Sequence, residues 1–349
     1  MGEGGPGRDD PRGRAERPGR VAGRPEGAVM RRAERRRSPF AWWHEGALLA
    51  LLVALLGIAS VCVPSFLRLE NQLLLSRHLW EMAILAIGMT MIVITGGIDL
   101  SVGSMMGLCA VTLGMTYAAT SSIAAGCLAC LAVGIACGAL NGLLITRVRV
   151  HPLIVTLATM AAFRGVAEGI SQGRAYSRFG EPFAVLARGG PGGVPWPGVF
   201  FLVMAGIGAL ILGRTAVGRF LYAIGNNERA ARFAGIAVDR VKFGLYTFSG
   251  LLAAMATIVY SARFDTAKAD AGKGMELDVI TAVVVGGTSI FGGRGNLGGT
   301  VLGLLLIHET RLFIGRYWKI DELRSIVVGI LLIASVLIYR MLARTEDRA

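Results

Sequence analysis

Cysteine is scarce in this sequence, and its placement excludes a disulfide framework. The five cysteines, at 62, 109, 127, 130 and 137, all fall inside apolar runs, where a thiol behaves as a small hydrophobe. Cys127 and Cys130 form a C-x-x-C, but no second pair and no nearby histidine accompanies them, so neither a metal site nor redox chemistry is expected. Val61, ahead of Cys62, is larger than the small residue that lipoprotein processing needs, so the first apolar run is expected to stay attached.

A P-loop is also missing. Gly272-Lys273 is followed by Gly274 and preceded five back by Ala267, so G-x-x-x-x-G-K-[ST] is not met and the chain does not bind ATP that way. Gly293-Arg294-Gly295-Asn296-Leu297-Gly298 does fit G-x-G-x-x-G. No acidic residue stands about 20 residues on, however, where a ribose contact would fall. The run reads instead as a tight helix connection whose residues must take positive φ. No Ser/His/Asp arrangement and no paired carboxylates stand out, so no catalytic residue, metal or cofactor is nominated and the chain is not read as an enzyme.

What is abundant is apolar surface. Of 349 residues, 54% are hydrophobic and the mean hydropathy is +0.59, too apolar for a soluble domain of ordinary composition. The net charge of +13 would suit nucleic acid, but the basic residues gather in the first 40 positions and in loops between apolar runs rather than along an aromatic-bearing groove. The positive-inside bias explains them more simply, and no nucleic-acid partner is expected.

A membrane-crossing helix needs about 20 mostly apolar residues. By that measure ten spans are expected, near 45–64, 79–96, 101–119, 121–146, 150–170, 196–214, 241–262, 277–292, 297–315 and 324–342. Some are short or glycine-rich, which leaves eight or nine open. The fold class is thus an all-α polytopic membrane helix bundle, embedded in lipid. Residues 1–40 read as a disordered, basic cytoplasmic tail, 41–343 as the transmembrane domain and 344–349 as a cytoplasmic C-terminus. With the tail inside, Arg147, Arg149, the segment around Arg219 to Lys242, and Arg294 face the cytoplasm, although Arg174, Arg178, Lys268, Lys273 and Arg316 fall outside.

The stretch that organises the chain is Met91 to Leu108, MIVITGGIDLSVGSMMGL. Asp99 inside such a segment costs roughly 2.5 to 3.5 kcal/mol on insertion scales, and Gly96-Gly97 weaken the helix that carries it. The expectation is a broken helix, one piece ending at the glycine pair and another starting near Asp99 or Ser101, whose side chains accept from the freed N–H groups. Interrupted helices of this kind line transport pathways. Asp99 is either the cap of a tight turn or a direct contact for a transported molecule. TAVVVGGTSIFGG at 281–293 echoes VITGGIDLSVG at 93–103 and hints at duplicated halves.

Gly-Gly-Ile-Asp-Leu-Ser-Val-Gly-Ser at 96–104 resembles the signature of the ribose/xylose/galactose-type permeases of bacterial ABC importers, in the branched-chain amino-acid/sugar permease superfamily. The likeness runs from about residue 45 to 342. It implies a subunit of the bacterial cytoplasmic (inner) membrane that passes a monosaccharide. Its implied partners are a second permease subunit (the same chain or a related one), an extracytoplasmic sugar-binding protein and a separate ATP-binding cassette ATPase. Two other readings stay open: a branched-chain amino-acid permease of the same superfamily, and an ion-coupled secondary transporter, which should carry paired intramembrane carboxylates.

The translocation pathway is expected at Gly96, Gly97, Asp99, Ser101 and Asn141. Asn141 lies beside the Gly138/Gly142 face, where a helix–helix hydrogen bond is the competing role. Within the polar segment 215–242, Glu228-Arg229-Ala230-Ala231 followed by Gly235 reads as a short helix capped by Asn226 or Asn227. It resembles the ATPase-coupling motif of ABC importers, which assigns the docking role to Asn227, Glu228, Ala230, Ala231 and Gly235; Arg229, between the acid and the alanines, departs from that motif. Arg164 and Glu168, four apart, are expected to pair. Small residues at Gly103/Gly107, Gly134/Gly138/Gly142 and Gly299/Gly303 are expected to let helix backbones meet.

Overall fold

A run of apolar residues in lipid satisfies its backbone only by closing into a helix, and the computed structural model of the protein is helical nearly throughout. It describes residues 1–2, 39–76, 79–190, 195–320, 323 and 326–334. The chain divides into two units, Met1–Phe40 and Ala41–Ala349. Most of the expected tail at 1–40 and the expected C-terminus at 344–349 lie outside the described residues.

Seven of the described helices are long and apolar enough to cross a membrane. They belong to α1 (Pro39–Cys62), α4 (Val102–Thr120), α5 (Ile123–Thr146), α6 (Pro152–Ser171), α8 (Trp196–Arg214), α11 (Val238–Phe264) and α13 (Leu297–Tyr317). Between them come α2 (Leu69–Ser76), α3 (Trp80–Ile94), α7 (Glu181–Arg188), α9 (Ala216–Asn226), α10 (Glu228–Phe233) and α12 (Met275–Val285). A last helical stretch covers 326–334. The all-α polytopic bundle is therefore the fold. Helix occupies each of the ten expected positions, but α3 and α12 stop at 15 and 11 residues, about 22 and 16 Å, short of the hydrocarbon thickness of about 30 Å.

Local sequence sets the boundaries. His151 accepts from Leu153 N and Pro152 opens α6. Ser122, Thr215, Asn227 and Asn296 each accept an N–H of the helix that follows, the ordinary N-cap role of these short polar side chains.

Glycine then decides which helices touch. Gly134 and Gly138 on α5 press against the backbone of Gly250 on α11, and Gly142 against Phe243. Gly299 and Gly303 on α13 meet the carbonyls of Gly286 and Ala282. Both rows behave as expected for helices without a hydrophobic force between them. The third differs: Gly103 and Gly107 on α4 meet the backbone of the connection between α11 and α12, at Gly272 O and Ala269 O, together with the side chains of Glu276 on α12 and Arg164 on α6.

Helix α3 is buried from Glu81 to Ile94, whereas α5 and α8 keep exposed leucines, among them Leu128, Leu140, Leu202 and Leu210, for lipid. Among the described residues, Glu81 pairs with Arg263 at 2.7 Å and Asp278 with Arg311 at 2.6 Å within the bundle. A two-residue ladder pairs β1 (Tyr176–Ser177) antiparallel with β2 (Thr266–Ala267). It joins the two loops expected outside, while Arg149 and Asp239, from two loops expected inside, are close enough to interact.

Candidate functional site

Helix α3 ends as its glycines dictate. Gly97 N donates to Ile92 O at 3.1 Å and Gly96 N to Val93 O at 2.9 Å, with Gly96 at φ +78°. This is the Schellman arrangement, which needs a residue without a Cβ penalty at its left-handed position. Four residues later Ser101 is the N-cap of α4. The two pieces are the halves of the broken helix expected from the sequence.

Asp99 lies in the gap with no exposed surface. Its Oδ1 accepts from Ser101 N at 3.0 Å and from Ser101 Oγ at 2.6 Å, and its Oδ2 accepts from Ser249 Oγ on α11 at 3.0 Å. Asn141 Nδ2 on α5 donates to Ser101 Oγ at 2.8 Å. Three helices, α4, α5 and α11, are thus tied to one buried carboxyl group, whose two oxygens both have donors. Ser101 serves Asp99 rather than α4 itself, since its side chain caps no N–H. Two polar atoms beside this set, Tyr246 Oη and Asn141 Oδ1, are buried without a hydrogen-bond partner. A Cβ on Gly97 would lie 2.7 Å from Tyr246 Oη. Tyr246 and Ser249 carried no signal in the sequence, being ordinary members of an apolar run.

The echo at 281–293 is structural. Thr288 N donates to Val283 O and Gly287 N to Val284 O at 3.2 and 2.9 Å, with Gly287 at φ +90°, so α12 ends in the same Schellman turn as α3. The equivalence pairs Gly96 with Gly287, one residue out of register with a glycine-to-glycine match. The connection to α13 then uses Gly292, Gly293 and Gly295, all at positive φ, as the reading of 293–298 required. The two interruptions meet: Gly293 N donates to Ile94 O at 2.8 Å, and Thr90 on α3 shares a 2.9 Å hydrogen bond with Thr300 on α13.

The segment 215–242 forms two helices and a turn. Asn227 accepts from Ala230 N at 3.0 Å, opening α10, which closes on Gly235 at φ +83°. Glu228 pairs with Arg232 at 2.9 Å and with Lys242 at 2.5 Å, and Arg232 with Asp239 at 2.5 Å. Partial burial pushes the Glu228 carboxyl up, but hydrogen bonds from Lys242 and Arg232 outweigh it and hold the group below its ordinary value. The Arg232 hydrogen bonds lower Asp239 likewise. Ala231 does not face outward: it is buried with Ile224 and Val238. Ala230 and Gly235 are exposed, and Phe233 beside them is 94% exposed.

Arg164 corrects an expectation. Among the described residues no ion pair joins it to Glu168; its guanidinium donates to the carbonyls of Gly103, Ala269 and Ala271. A planar donor fork answers several carbonyls better than one exposed carboxylate. Two other polar groups in apolar runs have partners: Glu81 has Arg263, and Glu309 accepts from Gln72 at 3.4 Å.

A membrane helix bundle with paired helix interruptions and an ion-paired polar loop fits the class of membrane permeases. Residues 78–336 match the family described as the permease component of the branched-chain amino acid transport system, and the chain belongs to that family. It is similar to the ribose import permease protein RbsC of Escherichia coli (strain K12), 38% identical over 76% of this chain and 84% of the relative. The same protein of Bacillus subtilis (strain 168) is 38% identical over 84% and 92%. The autoinducer 2 import system permease protein LsrD of Photorhabdus luminescens is 36% identical over 83% and 88%. No solved structure matches the chain. The resemblance carried by residues 96–104 is borne out, as is a transport subunit rather than an enzyme.

Proposed function

We propose that the protein is the membrane-spanning subunit of an ATP-driven importer that carries a monosaccharide across the bacterial cytoplasmic membrane, with its N-terminus inside. The observation that carries this reading is likeness to ribose import permeases over most of both chains. Two permease subunits enclose the pathway, an extracytoplasmic binding protein delivers the sugar, and an ATPase subunit docks on the 215–242 loop. The exposed face of α10, with Asn227 at its start and Ala230, Phe233 and Gly235 on the surface, suits insertion into a partner's cleft. Ala231 supports that face from behind, and Glu228 fixes it through its ion pairs.

Gly96, Gly97, Asp99, Ser101 and Asn141 serve the pathway by holding the interruption of α3 and α4 in place. Because Asp99 and its partners are sealed inside the subunit, their contribution is to the position of the backbone. ATP moves the assembly because the ATPase subunits favour one conformation over the other; a partner with equal affinity for both would shift nothing.

The family description keeps a branched-chain amino-acid substrate as the second reading. The ion-coupled reading has less support, since the buried carboxylates Glu81 and Asp278 pair with Arg263 and Arg311 and Asp99 accepts from two serines. The test is reconstitution with the binding protein and ATPase. Labelled ribose should accumulate only with ATP; accumulation by the permease alone would overturn the proposal.

A further inference from the structure

We infer that Gly225 is a positioning residue for import, joining the docking loop to both helix interruptions so that they move together. The inference rests on the import reading above, and it names the residue through which the loop acts. Gly225 is the second-last residue of α9, two positions before the Asn227 that caps α10.

The contacts are backbone to backbone. A hydrogen bond that joins the interruptions directly, Gly293 N to Ile94 O at 2.8 Å, lies under Gly225: a Cβ there would strike both of its atoms. Gly292 fits between Gly225 O and Gly96 N, its own Cβ position lying 2.9 Å from each. On either side of Gly225, Tyr222 Oη donates to Gly295 O at 2.8 Å and Asn226 lies against Gly293. One turn of α9 therefore grips the second interruption at three points and the first through the shared bond.

No side chain stands between these backbones to absorb a displacement, and close-packed matter transmits strain rather than damping it. A shift of α9 must disturb the Gly293–Ile94 bond or carry both segments with it. Ile94 O is a last-turn carbonyl of α3, with no partner inside its own helix, so the second interruption completes the first. A glycine needed only for fit would affect assembly. A joint would affect the amount of sugar moved per ATP.

The experiment uses the full complex in vesicles and reads sugar imported per ATP hydrolysed, for Gly225→Ala, Tyr222→Phe and the control Gly244→Ala, whose added methyl meets nothing within 4 Å. Gly225→Ala is expected to keep ATP hydrolysis and lower the ratio at least tenfold. Tyr222→Phe, which adds no volume, should lower it severalfold, and Gly244→Ala should leave it unchanged. A wild-type ratio in assembled Gly225→Ala overturns the inference. If that variant fails to assemble, Tyr222→Phe decides: a lowered ratio supports the joint and a wild-type ratio removes it. Wild-type uptake without ATP would instead defeat the import reading.

Discussion

Asp99 and Ser249 are 150 positions apart in the chain, yet the serine hydroxyl donates to the carboxylate at 3.0 Å, inside the bundle. The bond fastens the start of α4 to α11, the helix that leaves the docking loop. Gly225 packs against the α3 side of the same gap, so the loop touches the interruption from both ends.

Asp99→Ala should be far more damaging than Ser249→Ala. The first leaves Ser101 N, Ser101 Oγ and Ser249 Oγ without their acceptor, at on the order of 1 to 3 kcal/mol for each buried donor left unpaired. The second leaves a single group, Asp99 Oδ2, without its donor, at on the order of 1 to 3 kcal/mol in all. Thermal unfolding of the detergent-solubilised subunit should separate the two, and equal losses would show that the carboxylate is not the anchor.

The α5–α11 contact should reject even one methyl group. A Cβ on Gly250 would lie 2.8 Å from Gly138 N, and overpacking of this kind costs about 1 to 3 kcal/mol. Gly165→Ala and Gly206→Ala, with nothing within 4 Å, should be neutral or slightly stabilising. Melting temperatures of Gly250→Ala and the two controls test the contrast.

On the docking loop, Phe233→Ala should weaken capture of the ATPase subunit without disturbing the fold. Loss of an aromatic anchor at an interface costs on the order of 2 kcal/mol, roughly thirtyfold in Kd. Ala231→Leu should instead unfold the loop, because it forces bulk among Ile224 and Val238. Affinity for immobilised ATPase, read beside protease sensitivity of the loop, distinguishes the two effects.

The loop's ion pairs should be insensitive to pH between 6 and 8. Glu228 and Asp239 have folded-state values below their ordinary ones. Their stabilisation is therefore complete above the ordinary carboxylate range and is lost only as the pH falls through the lowered values. Protease protection of the loop should hold across pH 6 to 8 and decline below about 4; a decline near 6.5 would implicate another group.

The sequence made the helices legible because lipid leaves the backbone few options, and the glycine pair at 96–97 announced the break. Asn227 as a cap followed from local chemistry. Contacts between distant segments did not. Arg164 pointed by spacing to Glu168, but carbonyls from α4 and the 269–271 loop captured it. Ala231 read as a small outward residue and is buried, because six residues of helix do not fix which face turns in. The echo at 281–293 was visible, but its one-residue offset depends on which glycine takes positive φ. Ser249 and Tyr246 could be found only once α11 was placed beside α4.

Where Gly138 and Gly250 meet, two main chains touch with no flesh between them. Helices so joined have nothing to slide on, and they turn as one piece. A tilt of either helix is therefore expected to be shared by the other, and by the gap at Asp99, which is bonded to Ser249 on α11 and, through Ser101, to Asn141 on α5.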